Sequence, residues 1–233
     1  MLIITDNRIP EQAKESLSEY GEVFRFETKG ITYNAISGHP DIFFCRVGTQ
    51  LIVAPNLPEH YKKVLIQNSV SFVEGELPTG YKYPESAKYN VATTDKYLIH
   101  NFRFTDPVIT DHAAGLDLIH VNQGYCRCNL LPLKDDHFIT SDKGIYRVLS
   151  NYNFNVLKVD PKSIVLPGFE HGFFGGACGV FEDKLFILGN MDYFDDGEKV
   201  RQFLKSLDYE IVELYDGPLF DGGSLFFIYP TML

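Results

Sequence analysis

Cysteine is scarce in this 233-residue chain, which contains four, at positions 45, 126, 128 and 178. Four cysteines are too few for a disulfide scaffold, so the fold must be stabilised by its apolar core. Free cysteine is among the most frequently buried residue types. Each of the four is therefore expected first as a packed thiol, and only second as a reactive one.

The sequence also lacks basic clusters and long apolar runs. Lys and Arg number 21 against 31 Asp and Glu, a formal charge of −10, which argues against nucleic acid as a partner. No stretch approaches the roughly 20 apolar residues that span a membrane, and the start MLIITDNRIP has no basic segment typical of a signal peptide. These absences predict a cytoplasmic protein that binds neither nucleic acid nor membrane, and they leave a protein partner open.

Aromatic residues are abundant, with 19 Phe and 14 Tyr, although tryptophan is missing. Such side chains favour a pleated, half-buried surface, so the composition indicates much β-sheet. With 45% hydrophobic residues, the chain can bury a substantial core. We expect one domain over residues 1–233.

A repeated unit is visible along the chain. Its clearest copy starts at HGFFGGACGVFEDKLFILGN (His171–Asn190), which reads as a hairpin with a turn at Glu182-Asp183, followed by a helix near Glu198–Ser206 and the strand YEIVEL. Weaker copies contain the strands IFFCRV, YNVATT and CRCNLLPL, with helices predicted around Glu59–Gln67, after Asp106-Pro107 and over Lys143–Leu149. The period of about 40 residues is typical of solenoids and propellers.

The two ends of the chain complement each other. The first unit, with a strand over Leu2–Thr5, a helix near Pro10 and a strand over Glu22–Phe26, lacks the leading strand of the other units. The last strand, SLFFIY, has no unit of its own. If this strand completes the first unit, the array closes into a ring of five without exposed sheet edges.

Five hairpin-helix-strand units closed by a C-terminal strand resemble the pentein fold of guanidino-group-modifying enzymes. These include arginine and agmatine deiminases, amidinotransferases and dimethylarginine dimethylaminohydrolase. The runs GHPDI, QGYCRCN, FITSDKGI and GFFGGACG resemble more closely an uncharacterised bacterial family assigned to that fold. The resemblance implies a five-fold pseudosymmetric α/β propeller with a central channel, without implying an activity.

The first candidate site residues are His39 and Asp41. If the strand extends back to His39, both side chains lie on one face and reach a common ligand. The His-x-Asp pair also resembles the histidine motif of the deiminases, in which the histidine is an acid and base and carboxylates hold the guanidinium. In those enzymes the motif lies in a middle unit, whereas here it opens the second. A turn role at the strand entry is the commoner alternative.

The nucleophile of the related enzymes has no direct counterpart. They carry a cysteine in the final strand shortly after a Gly-Gly step. Here Gly222-Gly223 is followed by Ser224, Leu225, Phe226 and Phe227, so phenylalanine fills the thiol position. Cys178, two residues after Gly176, is a substitute nucleophile with His39 or His171 as acid and base. Inert packing of Cys178 is the commoner alternative.

Further polar residues are expected to line the channel and to bind substrate: Asp41, Asn90, Asn129, Asp221 and Ser224. Cys126 and Cys128 would share one face of a strand, but no second ligand pair accompanies them, so neither a metal nor another cofactor is predicted. Arg46, Arg103 and Arg127 are candidates to hold a carboxylate.

Two functions remain open from the sequence. One is a cysteine-dependent hydrolase or transferase acting on a guanidino or amidino compound, whose small cationic substrate the negative chain would attract. The other is a non-catalytic binding or protein-interaction module of the same fold, which the missing terminal thiol favours.

Overall fold

Short strands and helices alternate along residues 1–230, the part of the chain that the computed structural model describes. The strands are β1 Leu2–Asp6, β2 Glu22–Phe26, β3 Phe44–Val47, β4 Gln50–Val53, β5 Phe72–Glu74, β6 Ala92–Thr93, β7 Tyr97–His100, β8 Asp117–His120, β9 Leu130–Pro132, β10 His137–Thr140, β11 Asn155–Lys158, β12 Cys178–Phe181, β13 Lys184–Ile187, β14 Glu210–Glu213 and β15 Phe226–Ile228. The α-helices are α1 Glu11–Ser18, α2 Glu59–Gln67, α3 Pro107–His112, α4 Cys126–Asn129, α5 Lys143–Leu149 and α6 Gly197–Lys205. Single 3₁₀ turns occur at Asn34–Ile36, Pro40–Ile42, Glu85–Ala87, Gly175–Ala177 and Met191–Tyr193.

These strands form three-stranded sheets that share one plan. In β3-β4-β5, β6-β7-β8, β9-β10-β11 and β12-β13-β14, the first strand is antiparallel to the central strand and the last is parallel to it. The parallel step requires a crossover, and a helix supplies it in each case. The predicted hairpin-helix-strand unit is therefore confirmed.

The C-terminal strand completes the first sheet, in the order β15-β1-β2. It pairs antiparallel with β1 from Leu2 opposite Ile228 to Ile4 opposite Phe226. This strand takes the place that the leading strand of the hairpin has in the other units. The prediction that the last strand supplies what the first unit lacks is confirmed, and the five small sheets fit a five-fold repeat.

Hydrogen bonds connect the inner strands of successive units. Thr93 Oγ1 donates to the carbonyl of Arg46 at 2.7 Å, and the Arg46 guanidinium donates to the carbonyl of Phe227 at 3.3 Å. The backbone N–H of Leu225 donates to the carbonyl of Cys178 at 3.1 Å. The first strands of four sheets are thus connected side by side.

Two predicted helix starts are confirmed by their caps. The Asp106 side chain accepts a hydrogen bond from the backbone N–H of Val108, and Pro107 occupies the first helical position of α3. Asp142 accepts from the N–H of Ile145 at the start of α5. Such caps satisfy backbone donors that the helix itself leaves unpaired.

Two strand predictions are wrong at their N-terminal ends. Pro40–Ile42 is a 3₁₀ turn, because Pro40 favours a helical start and the N–H of Asp41 donates to the carbonyl of Gly223. His39 and Asp41 are therefore not placed by strand alternation. Likewise Cys126 and Cys128 lie in the helical turn α4, where the N–H groups of Cys126 and Arg127 both donate to the Asn90 carbonyl.

The central strands are almost completely buried, as expected for strands covered on both faces. Ile3, Ile52, Ile99, Ile139 and Phe186 expose none of their surface. The described residues include no helix long and apolar enough to cross a membrane.

The packing between the C-terminal strand and the fifth unit can be tested at Phe227. Its ring centroid lies 4.7 Å from that of Phe186 and 5.3 Å from that of Phe181. We expect Phe227→Ala to lower the unfolding free energy by about 3 to 5 kcal/mol in urea titration. Phe169→Ala, at a ring that is 54% exposed, is the matched control and should change it by about 0.5 kcal/mol or less. Equal losses in both variants would contradict this packing.

Candidate functional site

The segments that lead into the inner strands carry a cluster of buried polar side chains. Asp41 lies in the turn before β3, Asn90 two residues before β6, Asn129 directly before β9 and Ser224 two residues before β15. All four expose at most 1% of their surface. Because these segments have equivalent positions in their units, the repeat itself brings polar residues that are distant in sequence to one end of the inner strands.

Asp41 is a buried carboxyl group with one unused oxygen. Its Oδ2 accepts a hydrogen bond from Ser224 Oγ at 3.2 Å, whereas Oδ1 has no partner in the described part of the chain. Burial raises its pKa to about 6, and the positive charge of Arg127 and the hydrogen bond from Ser224 limit that rise. An unpaired buried oxygen is costly, which makes it a natural ligand contact.

Asp221 is the second buried carboxyl group. Its Oδ1 accepts from the N–H of Gly223 at 3.0 Å and its Oδ2 from the N–H of Phe173 at 2.9 Å. Burial and, after it, the charge of Asp41 raise its pKa to about 7. Its hydrogen bonds come from backbone amides, and no Lys or Arg within residues 1–230 forms a salt bridge with it.

His39 lies between two carboxylates. Its Nε2 is 3.9 Å from Asp6 Oδ2, its Nδ1 is 4.0 Å from Asp221 Oδ1, and Nε2 has no hydrogen-bond partner among residues 1–230. Burial lowers its pKa to about 4 in spite of the charge on Asp6. The imidazole is therefore neutral at physiological pH and can act as an acceptor.

Glycine permits this close packing of polar groups. A Cβ on Gly176 would lie 2.0 Å from Asp221 Oδ1, and a Cβ on Gly223 would lie 2.3 Å from His39 Cβ. Gly223 also has a φ of +69°, and Ser224 follows with +70°, a conformation that is unfavourable for serine. The Gly-Gly step therefore places the Ser224 hydroxyl against Asp41, where it also lies 3.1 Å from the carbonyl of Gly175.

The sequence interpretation missed the pair formed by Asp6 and Arg8. The Arg8 guanidinium binds Asp6 with Nη2 to Oδ2 at 2.5 Å and Nε to Oδ1 at 3.0 Å, and Nη2 also donates to the carbonyl of Ala35. Asp6 is fully buried. The sequence contains a signal for this pair: Asp6 ends a buried strand, and Arg8 follows two residues later.

The thiols are all buried. Cys45, Cys126, Cys128 and Cys178 expose at most 5% of their surface. Burial raises the pKa of the Cys178 thiol, although Arg127 opposes the rise, and it raises the pKa of Cys45 to about 12. A thiol is nucleophilic as thiolate, so burial acts against attack by any of them.

Two other predicted site residues have different surroundings. Both polar atoms of the Asn129 side chain have partners, since Nδ2 donates to the carbonyl of Tyr125 and Oδ1 accepts from Ser141. His171 Nδ1 lies 2.8 Å from the carbonyl of Gly172, and its ring packs edge-on against Phe173. The contacts within residues 1–230 bring neither side chain onto Asp41 or Asp221.

No group of three or more His, Cys, Asp or Glu residues within positions 1–230 could hold a metal ion. The carboxylates of the cluster are instead surrounded by backbone N–H groups, hydroxyls and guanidinium groups. The carboxylate oxygen that they leave unpaired, Asp41 Oδ1, suits a ligand that offers N–H donors.

Comparison with known proteins identifies the family. Residues 4–226 match the model of a family described as a family of unknown function (DUF6873). The chain belongs to this family. None of the curated proteins matches it.

Solved structures with a similar fold are pentein enzymes. SxtG, an amidinotransferase from Microseira wollei, has 10% identity and a TM-score of 0.53, with 91% of this chain and 87% of that chain covered. DDAH (dimethylarginine dimethylaminohydrolase) from Pseudomonas aeruginosa, a mutant in complex with citrulline, has 8% identity and a TM-score of 0.55, with 91% of both chains covered. Agmatine deiminase from C. jejuni has 8% identity and a TM-score of 0.54, with 91% and 86% covered. These similarities show a mixed α/β fold resembling the pentein enzymes.

The raised pKa values of Asp41 and Asp221 predict a pH dependence of stability. The folded chain retains their protons up to about pH 6 and about pH 7, whereas the unfolded chain loses them near its ordinary value of 3.8. The contribution of these groups to the unfolding free energy is therefore highest at low pH. It is lost as pH rises from 3.8 to about 7. His39, with its lowered pKa, contributes in the opposite direction between about 4 and 6.5.

The contribution of Asp221 can be isolated by comparing the unfolding free energies of Asp221→Asn and the unsubstituted chain at each pH. We expect Asp221→Asn to become more stable relative to the unsubstituted chain, by at least about 1 kcal/mol, as pH rises from 5 to 8. Urea unfolding at several pH values measures this difference, and exposed Asp117→Asn is the control, which should show no such trend. A pH-independent difference for Asp221→Asn would contradict a raised pKa.

Proposed function

We propose that this protein binds a small guanidinium or amidinium cation between Asp41 and Asp221. The observation that carries the proposal is the pair of unused acceptors in the buried cluster, Asp41 Oδ1 and His39 Nε2, neither of which has a partner within residues 1–230. A guanidinium has five N–H donors in a planar fork that matches a carboxylate. Asn90 Nδ2 has no hydrogen-bond partner within residues 1–230, but it lies near enough to Asp41 to lower the pKa of that carboxyl, so we expect Asn90 to contact the same ligand.

Electrostatics favour a cation at this position. Asp6 is already neutralised by Arg8, and Asp41 is partly compensated by Arg127, but Asp221 has no salt bridge to Lys or Arg in the described chain. Burial and, after it, the charge of Asp41 disfavour ionisation of Asp221, and its pKa is therefore raised to about 7. A bound cation would ionise both and release protons.

The contact between Arg8 and Asp6 supports binding of a guanidinium group in this environment. Arg8 binds Asp6 in two-point contact at the edge of the cluster. We propose that the cation enters beside Tyr33, whose ring is half-buried. Burial raises the pKa of Tyr33, and the charges of Asp221 and Asp41 add to this rise.

The architecture belongs to the same proposal. We infer that the five sheets close into a ring and that residues 1–230 form one domain. Support comes from the pairing of β15 with β1 and from the hydrogen bonds between inner strands, including Leu225 to Cys178. In such a ring the cluster lies on the central axis.

Cation binding can be measured by calorimetry with methylguanidine, agmatine and arginine. At ten times the dissociation constant, a ligand of the native state adds about 1.4 kcal/mol of stability, which corresponds to a rise in Tm of about 3 to 6 °C. We expect Asp41→Asn to abolish this rise and exposed Asp117→Asn to preserve it. Absence of binding by all three cations at millimolar concentration would exclude the proposal.

Proton release is the more specific measurement. If the cation ionises Asp221, titrations at pH 7 in buffers of different ionisation enthalpy will show protons released on binding, and the number will fall at a pH well above 7. Asp221→Asn should release fewer protons. Binding without proton release at pH 7 would place the cation elsewhere.

Covalent chemistry at Cys178 is a second candidate function. It is favoured by Arg127, whose positive charge lowers the pKa of that thiol against the larger effect of burial. The pentein neighbours include an amidinotransferase and an agmatine deiminase, which modify their substrates. Ser224, at its position after the Gly-Gly step, has Asp41 as hydrogen-bond partner.

Thiol reactivity distinguishes binding from covalent chemistry. We expect all four cysteines of the folded chain to react slowly with iodoacetamide at pH 7, because they are buried and protonated, and to react fully after unfolding in urea. Mass spectrometry of the digested protein identifies each modified thiol. Rapid alkylation of Cys178 below about pH 7, lost in Cys178→Ser, would instead establish an activated nucleophile.

A further inference from the structure

A cavity opens at the hairpin end of the inner strands, opposite to the end that carries Asp41 and Ser224. Its volume is about 350 Å³, which lies within the range of small-molecule sites. Inner strands of all five sheets contribute to its wall, through Cys45, Thr93, Leu131, Val180 and Phe227. The cavity is therefore a product of the repeat and belongs to no single unit.

The charge of this cavity is opposite to that of the chain. Arg46, Arg127 and Lys134 line it, and Asp95 is the carboxylate among its lining residues. The chain as a whole has a formal charge of −10. A local excess of positive charge in an acidic protein attracts anions to this opening.

Arg127 is the least exposed of the three cations. It extends from α4 into the cavity, and its Nη1 is shielded from solvent without a hydrogen-bond partner in residues 1–230. Burial lowers its pKa, and the charge of Asp41 only partly offsets this effect. Its guanidinium carbon lies 5.9 Å from the centroid of the Phe226 ring. Arg127 lines the cavity and forms no salt bridge within residues 1–230, so an anion in the cavity would supply the charge partner that it lacks.

Arg46 and Lys134 also have unused binding capacity. Arg46 donates to the backbone carbonyls of Gly48 and Phe227, at 2.9 and 3.3 Å. The Lys134 ammonium lies 5.4 Å from the centroid of the Tyr209 ring. In the described chain neither residue forms a salt bridge, so both positive charges are available to a bound anion.

Part of the remaining wall is apolar, and this part decides between classes of anion. Val91, Leu131, Leu133, Leu225 and Phe226 face the cavity. These side chains gain nothing from inorganic phosphate, whereas an organic anion buries apolar surface against them. We propose that this cavity binds a small organic carboxylate, with its carboxylate on Arg127 and its apolar body against Phe226.

The proposal is tested by calorimetry on the full chain with 3-phenylpropionate as the probe. Inorganic phosphate and the uncharged analogue 3-phenylpropanol are the ligand controls. We expect binding of the carboxylate in the millimolar range or tighter, and binding weaker by about tenfold or more for both controls, since each loses one of the two contacts. Equal binding of the alcohol would reduce the site to an apolar cavity and overturn the proposal.

Substitutions at the cavity locate the bound carboxylate. Arg127→Lys preserves the charge but removes the planar fork, so its affinity should fall by about tenfold. Since Arg127 also compensates Asp41, Lys134→Met provides a second variant at the rim, with an expected loss of several-fold. Lys63→Met, on the exposed face of α2, is the matched control and should bind normally.

Failure of this proposal can be distinguished from failure of the cation site. The probes differ in charge, and the cation test depends on Asp41 and Asp221, which do not line this cavity. Absence of binding to the unsubstituted chain at millimolar probe, or unchanged affinity in folded Arg127→Lys and Lys134→Met, would overturn the carboxylate site.

Discussion

The pairing of β15 with β1 is the constraint on which the rest of the structure depends. It brings the two ends of the chain into one sheet and fixes the segment Asp221–Ser224 beside the turn at Pro40–Ile42. Without it, Asp221 and Ser224 would have no fixed relation to Asp41 or His39. The same pairing places Phe227 in the wall of the cavity at the hairpin end of the inner strands. Both ends of the inner strands therefore rely on a contact between residues more than 200 positions apart.

Burial of charge dominates the chemistry of the cluster. Asp41 and Asp221 have raised pKa values and His39 a lowered one, each chiefly because desolvation penalises the charged form. Arg127 connects this cluster with the cavity at the hairpin end. Its charge lowers the pKa of Asp41, and its side chain lines the cavity. A ligand on either side would change the electrostatic environment of the other, so occupancy of the two sites is expected to be coupled.

The pentein fold does not determine the reaction. The neighbours by structure share about a tenth of their residues with this chain, and one fold can support different functions. Serine, leucine and two phenylalanines follow Gly222-Gly223, and the four thiols are buried. The combination of unused acceptors with shielded thiols is the physical basis for favouring recognition of a cation over covalent attack.

The sequence by itself determined the repeat, because hairpin turns, caps such as Asp106 and Asp142, and apolar strands are local features that recur with a fixed period. It also indicated His39, Asp41, Asn90, Asp221 and Ser224 as polar residues near strand starts. Only the tertiary structure decided how they meet. The turn at Pro40–Ile42, the helical turn α4, the Arg8 contact with Asp6 and the position of Arg127 all depend on hydrogen bonds or charges supplied by other parts of the chain, which local sequence patterns do not contain.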